Sequence, residues 1–211
     1  MLGRQERWRM LILRLQRGFS LIELMIGIAI VAILLAVGMP TFGLWIQNTQ
    51  VRTAAESIQN GLQTARNEAV RRNTNVRFNL TSATGLVTWN VCVVVGAACG
   101  EVIQQRSAAE GGANARVGVS TDVPPTPVPN AQYATALAAG VGLSGAGGAG
   151  VTFNGVGSIP AANIGTDVTR IDIINVLAND ARRLVIVVGT GGLVRMCDPL
   201  HALASNPQGC S

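Results

Sequence analysis

The sequence predicts an α+β fold: a long N-terminal helix, transmembrane in its first half and amphipathic in its second, packed on a small β-sheet-rich globular head. Three observations predict it. Residues 19–46 form an apolar run that holds one carboxylate, Glu23, and no further charge appears until Arg52. Val51, Ala54, Ala55, Ile58, Leu62, Ala65 and Ala69 then recur at spacings of three and four, the period of an amphipathic helix. From residue 75 the pattern changes to short β-branched and aromatic runs separated by turn residues.

The apolar run comes first. At helical rise, Phe19 to Met39 spans on the order of 30 Å, the thickness of one bilayer core. A secretory signal has a charge-free core of about 7–15 residues; this run is longer and contains Glu23. A plain single-span anchor accounts for the length, but not for a carboxylate near the start, which is costly in lipid unless paired. Gly27, Gly38 and Gly43 leave small gaps that let apolar helices approach one another. Pro40 removes one backbone hydrogen bond and is expected to kink or locally melt the helix. The amphipathic half follows, with Arg52, Glu56, Gln59, Gln63, Arg66, Asn67 and Arg72 between the stripe residues. One continuous helix from about residue 19 to 72 is expected, on the order of 80 Å long. Arg71 and Arg72 suit the negative end of its dipole.

Arg17 followed by Gly18-Phe19-Ser20-Leu21-Ile22-Glu23-Leu24-Met25 and a long apolar run resembles the processing site of type IV pilins and type II secretion pseudopilins. The resemblance implies that a prepilin peptidase removes residues 1–18 as a leader, cutting between Gly18 and Phe19, and methylates the new amino terminus at Phe19. Residues 19–46 are then the transmembrane and filament-core helix, and 47–211 the amphipathic helix plus head. Glu23 becomes the fifth mature residue, which in the family pairs with the amino terminus of a neighbouring subunit. Pro40 stands where family members carry a helix-kinking proline. Met10 offers a start alternative to Met1, with no effect on the mature chain.

The leader also changes the charge reading. The full chain is formally +5, but five of its sixteen arginines and one of its eleven acids precede Phe19, so the mature chain has net charge +1. The basic balance is therefore mostly the leader's, which fits retention of the N-terminus on the cytoplasmic side, and weakens the case for a nucleic-acid partner.

In the head, Asn75–Leu80 alternates, Thr84-Gly85 marks a turn, and Leu86–Val95 reads as a strand onto which Glu101–Arg106 pairs back. Trp89 is read as core packing on the helix. Residues 107–150 form a Gly/Ala/Pro-rich loop region, with Arg116–Val119 as a possible short strand. Within it Val123–Asn130 is expected to be extended, and Leu137–Gly150 to be loop or partly disordered. Strand patterns return at Val151–Phe153 and Val168–Val176. Arg182–Val188 and Gly192–Cys197 flank Gly189-Thr190-Gly191, a hairpin signature. The tail, 198–211, lacks a regular pattern. Cys92, Cys99, Cys197 and Cys210 in an exported body suggest disulfides. Three connectivities are possible, and sequence proximity favours Cys92–Cys99 with Cys197–Cys210. Zinc is disfavoured because neither pair has Cys-x-x-Cys spacing and His201 is the only histidine.

VTFNGVGSI (151–159), followed by RRLVIVVGTGGLVRMCDP (182–199), is similar to the H-type minor pseudopilins and the FimT/FimU minor pilins. That resemblance implies a minor subunit that helps assemble or prime a type IV pilus or a type II secretion pseudopilus. Its implied partners are other major and minor subunits, the prepilin peptidase and the inner membrane. The chain is expected to cross the inner membrane once, with its head in the periplasm, before incorporation into a filament. The alternative is a DNA-binding minor pilin of natural transformation. Some FimT-like pilins bind DNA through a Gly-Arg-x-Arg element at this turn, but here the positions read Gly192, Leu193, Val194 and Arg195, so only Arg195 carries over. Arg66, Arg71, Arg72 and Arg77 form the one basic cluster, read as a solvated face. No catalytic constellation, metal site or cofactor is expected. Asp167, Asp172 and Asp180 lack Ca²⁺-loop spacing, and Gly140–Gly150 lacks the lysine of a phosphate loop.

Overall fold

The protein is described here from a computed structural model, over residues 18–96, 98–123, 132–143, 149–178 and 180–210, with the side chains of Val37, Met39, Pro40 and Thr41 left aside. Residues 1–17, which belong to the expected leader, the proline-rich segment 124–131 and the glycine-rich residues 144–148 lie outside the described residues.

Helix α1 runs Leu21–Arg72. Ser20 caps its start: the hydroxyl accepts the Glu23 backbone N–H at 3.2 Å, and the Ser20 carbonyl accepts that of Leu24. Its end is a Schellman motif. Asn73 adopts φ 50°, its N–H binds the Val70 carbonyl, and the Thr74 N–H binds that of Ala69. Asparagine tolerates this left-handed turn better than most side chains do.

The chain divides into two units, Met1–Thr41 and Phe42–Ser211, and α1 contributes to both. In the second unit the helix carries two antiparallel sheets. The first has the order β3-β2-β1-β5, from β1 (Val76–Leu80), β2 (Trp89–Val95), β3 (Ala98–Arg106) and β5 (Ala149–Phe153). The second has the order β4-β6-β7-β8, from β4 (Ala115–Ser120), β6 (Arg170–Asn175), β7 (Leu184–Val188) and β8 (Val194–Cys197). Both sheets and the helix share one core. All seven stripe residues, Val51 to Ala69, are buried against Phe78, Trp89, Phe153, Ile171, Ile173 and Ile186.

Small residues let the sheets come close. A Cβ placed on Gly61 would lie 2.8 Å from the Phe78 ring and 3.2 Å from that of Trp89. Trp89 is core, as its sequence context indicates: it is buried, its ring lies 5.5 Å from that of Phe78, and its indole N–H reaches the buried Ser57 hydroxyl.

The 107–150 loop region needs correction. Strand β4 lies wholly inside it, and β5 begins at Ala149. Ala115, Val117 and Val119 are buried, and β4 pairs along its length with β6. The turn at 138–141 lies against its other edge, where Gly140 N–H binds the Val117 carbonyl and Val119 N–H that of Val141. Gly118 permits this approach, since a Cβ there would meet the Ala138 carbonyl oxygen at 2.3 Å. The short strand read at Arg116–Val119 is β4, one residue longer at each end; its place in the second sheet is decided by pairing with a strand distant in sequence. The strand expected from Leu86 begins instead at Trp89, with Leu86 in a single bridge to Arg116.

Replacing Gly61 by Val tests the helix–sheet contact. Replacing a helix-interior glycine by valine, itself a weak helix former, gains at most about 0.5 kcal/mol, whereas overpacking a filled core costs about 1–3 kcal/mol. The expected result is a net loss of stability, read from the urea midpoint of the purified protein.

Candidate functional site

The first candidate is the N-terminal segment itself. Gly18, Phe19 and Ser20 precede α1 and are exposed. Glu23 sits three residues past the Ser20 cap, in the first helical turn. That is the arrangement of a capping box, and a carboxylate there is favoured by the helix dipole. Its side chain is exposed, as are Phe19 (83%), Leu21, Ile22, Leu24, Met25, Ile26 and the apolar residues that follow through Leu35. None of the described residues covers them. Among the described residues no helix is long and apolar enough to cross a membrane. Val37 and Met39–Thr41, which continue the apolar run, are outside the described side chains, and with them the side chain of Pro40.

The second candidate is the β7–β8 turn and the tail behind it. The structure bonds Cys92 to Cys99 and Cys197 to Cys210, with Cα separations of 5.6 and 5.0 Å. The Asn79 amide lies 3.8 and 3.7 Å from the two sulfurs of the first. Arg195 does not project as a free cation. Its guanidinium donates to the carbonyls of Gly209 and Cys210 at 2.9 and 2.8 Å, so it fastens the tail against β8. Gly192 has φ 80°, and a Cβ on it would overlap the Gly157 carbonyl, so this turn is pressed against the 154–158 turn. Leu193 is exposed at its tip. His201 approaches Asp198 at 4.0 Å on the surface of the tail.

The basic cluster is not a patch. Arg66 donates to the Gly157 carbonyl at 3.0 Å, Arg71 and Arg72 both bind Glu68, Arg72 also reaches Glu101, and Arg77 pairs with the buried Asp167 at 2.6 Å. Each arginine has an acceptor of its own: Glu68 on α1, Glu101 on β3, or Gly157 and Asp167 in the segment between β5 and β6. Hydrogen bonds from Arg71, then Arg72, hold the Glu68 carboxyl down to about 2 from an ordinary 4.5.

Sequence reasoning missed a buried charge cluster on the outer face of the second sheet. Asp172 is completely buried and pairs with Arg170 and Arg183, both at 2.6 Å. The two guanidinia also donate to the carbonyls of Gln132, Tyr133, Ala134 and Thr135, and the Leu137 N–H donates to Asp172. The cluster thus fastens segment 132–137 over the sheet. Tyr133 is buried beside the Cys197–Cys210 bridge, with the Arg170 guanidinium 5.1 Å from its ring. Burial pushes its phenol pKa up, against the opposing pull of Arg170. The signal was present in Arg170-Ile171-Asp172-Ile173, where the charges alternate with isoleucines and so share one face. Among the described residues no group of His, Cys, Asp or Glu side chains is placed to hold a metal.

Residues 54–192 match the family described as Type II transport protein GspH, and residues 13–39 match the Prokaryotic N-terminal methylation motif. The chain belongs to the GspH family. The match runs from the amphipathic half of α1 through both sheets to the β7–β8 turn. Among solved structures the chain is similar to the type IV minor pilin FimU of Pseudomonas aeruginosa strain PAO1, seen in two crystal forms. Identity is 15% in both. In one, 76% of this chain and 95% of FimU are covered with a TM-score of 0.49; in the other, 76% and 99% with a TM-score of 0.46. No curated protein matches the chain.

Two outcomes are expected of this GspH-family head. Replacing Asp172 by Ala strands two guanidinia under segment 132–137. A loss of about 3–5 kcal/mol is expected, as for other broken buried pairs, measured by urea unfolding. The second concerns acid. Because the folded-state pKa of Glu68 is depressed, its stabilising contribution is present above pH 4.5 and is lost as pH falls from there toward about 2. Glu68→Gln removes that part of the acid dependence, which thermal melts across this range measure.

Proposed function

We propose that the chain is a minor pilin or pseudopilin, a structural subunit that helps assemble or prime a type IV pilus or type II secretion pseudopilus. The observation that carries this reading is the first half of α1, exposed and apolar on every face, with one carboxylate in its first turn. A helix apolar all round needs lipid or other apolar helices around it. The matched methylation motif supports processing at Gly18–Phe19 by a prepilin peptidase and methylation of Phe19. Residues 1–18 are then the leader, 19–46 the inner-membrane and filament-core segment, and the head lies in the periplasm.

In this reading Glu23 accepts the charge of the Phe19 amine of a neighbouring subunit. In a low-dielectric bundle an unpaired carboxylate costs several kcal/mol, so pairing supplies both affinity and register. Pro40 locally adjusts the packed helix. The two disulfides and the Arg195 contacts hold the head rigid outside the reducing compartment. A DNA-receptor role is less well supported: Leu193 replaces an arginine of the binding element, and Arg195 is engaged with the tail.

Glu23→Leu tests the proposal in cells. Cleavage and membrane insertion are expected to continue, while the amount co-purifying with filaments falls about tenfold or more, since each tenfold is about 1.4 kcal/mol. Incorporation at the normal level would show that the carboxylate does not pair in the filament.

A further inference from the structure

The head holds a cleft of about 400 Å³ that the assembly reading does not use. Trp45, Asn48 and Arg52 line it from one face of α1, Leu184 and Met196 from the second sheet, and Arg182 from the segment just before β7. Part of its wall is apolar, the buried Asp198 carboxylate, Thr49 and Gln208 also line it, and its rim carries further donors. Arg52 engages Glu56 through Nε alone, at 2.8 Å, and Arg182 engages Asp198 through Nε alone, so the terminal nitrogens of both guanidinia make no hydrogen bond among the described residues. The Asn48 side-chain oxygen accepts the Arg182 backbone N–H at 2.7 Å, which leaves its amide nitrogen as a further donor. Guanidinium forks beside an apolar wall suit an anion attached to an apolar body.

We propose that this cleft binds the phosphodiester headgroup of an anionic phospholipid. The inference rests on the membrane-anchored reading above and extends it to the head. Trp45 is 64% exposed, stands one residue from the end of the apolar run, and has exposed Phe42, Leu44 and Ile46 as neighbours. Tryptophan concentrates at the boundary between hydrocarbon and headgroups. Arg52, seven residues further along the helix, lies about 10 Å beyond it. The headgroup layer is roughly 5–8 Å thick on each side of the hydrocarbon, and an arginine reaches several ångströms back along its stem. With Trp45 at the boundary, the two guanidinia therefore stand at phosphate level. A carboxylate from a neighbouring subunit is the rival occupant, but it has no use for the apolar wall and fills little of the volume.

The test uses the full chain reconstituted into vesicles of phosphatidylcholine alone, or of phosphatidylcholine mixed with phosphatidylglycerol, followed by native mass spectrometry of the lipids it retains. Phosphatidylglycerol is expected to be retained several-fold over its share of the mixture. Arg52→Gln, at an exposed position that leaves the core intact, is expected to reduce retention to that share, and Arg182→Gln to do the same. Excess inorganic phosphate is expected to leave retention unchanged. Equal retention by wild type and both variants overturns the proposal. Loss of retention in inorganic phosphate overturns the lipid assignment in favour of a free-anion site. Loss of a co-purifying filament subunit in Arg52→Gln, with lipid retention unchanged, assigns the cleft to a protein carboxylate instead. Association with pure phosphatidylcholine vesicles reads the anchor separately: its failure defeats the anchored reading and this inference together, whereas failure of the lipid preference alone defeats only the inference.

Discussion

The fold of the head depends on one contact: the stripe from Val51 to Ala69 against the inner faces of two sheets. Four of its seven residues are alanine, and Gly61 lies beside them. Small side chains on the helix leave room for large ones on the strands, and Phe78, Trp89, Phe153 and three isoleucines fill it. Interiors packed to crystalline density tolerate little change at such a seam. The facing of the strands follows from it, since each sheet must turn its apolar face toward the same helix.

The first half of α1 obeys the opposite rule. Its described apolar residues are exposed, and none of the described residues covers them. A soluble monomer rarely presents so large an apolar surface. The same element thus supplies a core to the head at one end and a surface that calls for partners at the other. Membership of the GspH family and the matched methylation motif agree with that division of labour.

Charge inside the head is used for fastening. Arg77, Arg170, Arg183 and Arg195 each hold a segment distant in sequence, through a buried aspartate or through backbone carbonyls. Guanidinium serves this purpose because it offers several donors in a fixed plane. Of the arginines that face outward, Arg52 and Arg182 alone line the cleft beside Trp45.

Much of this was legible in the residues themselves. The helix, its buried stripe and the strands β1, β6 and β7 follow from periodicity, because a period of 3.6 or 2 is a local property of the chain. The N-terminal methylation motif was legible because Gly18, Phe19 and Glu23 stand in an ordered pattern. What the tertiary structure decided is non-local. It placed β4 in the second sheet, brought Asp167 to Arg77 across ninety residues and Asp172 to two arginines, and gave each clustered arginine its own acceptor. Composition records that charges are present. Only the fold determines which of them meet, because the attraction between two groups depends on their separation and burial, and neither is written in the sequence around them.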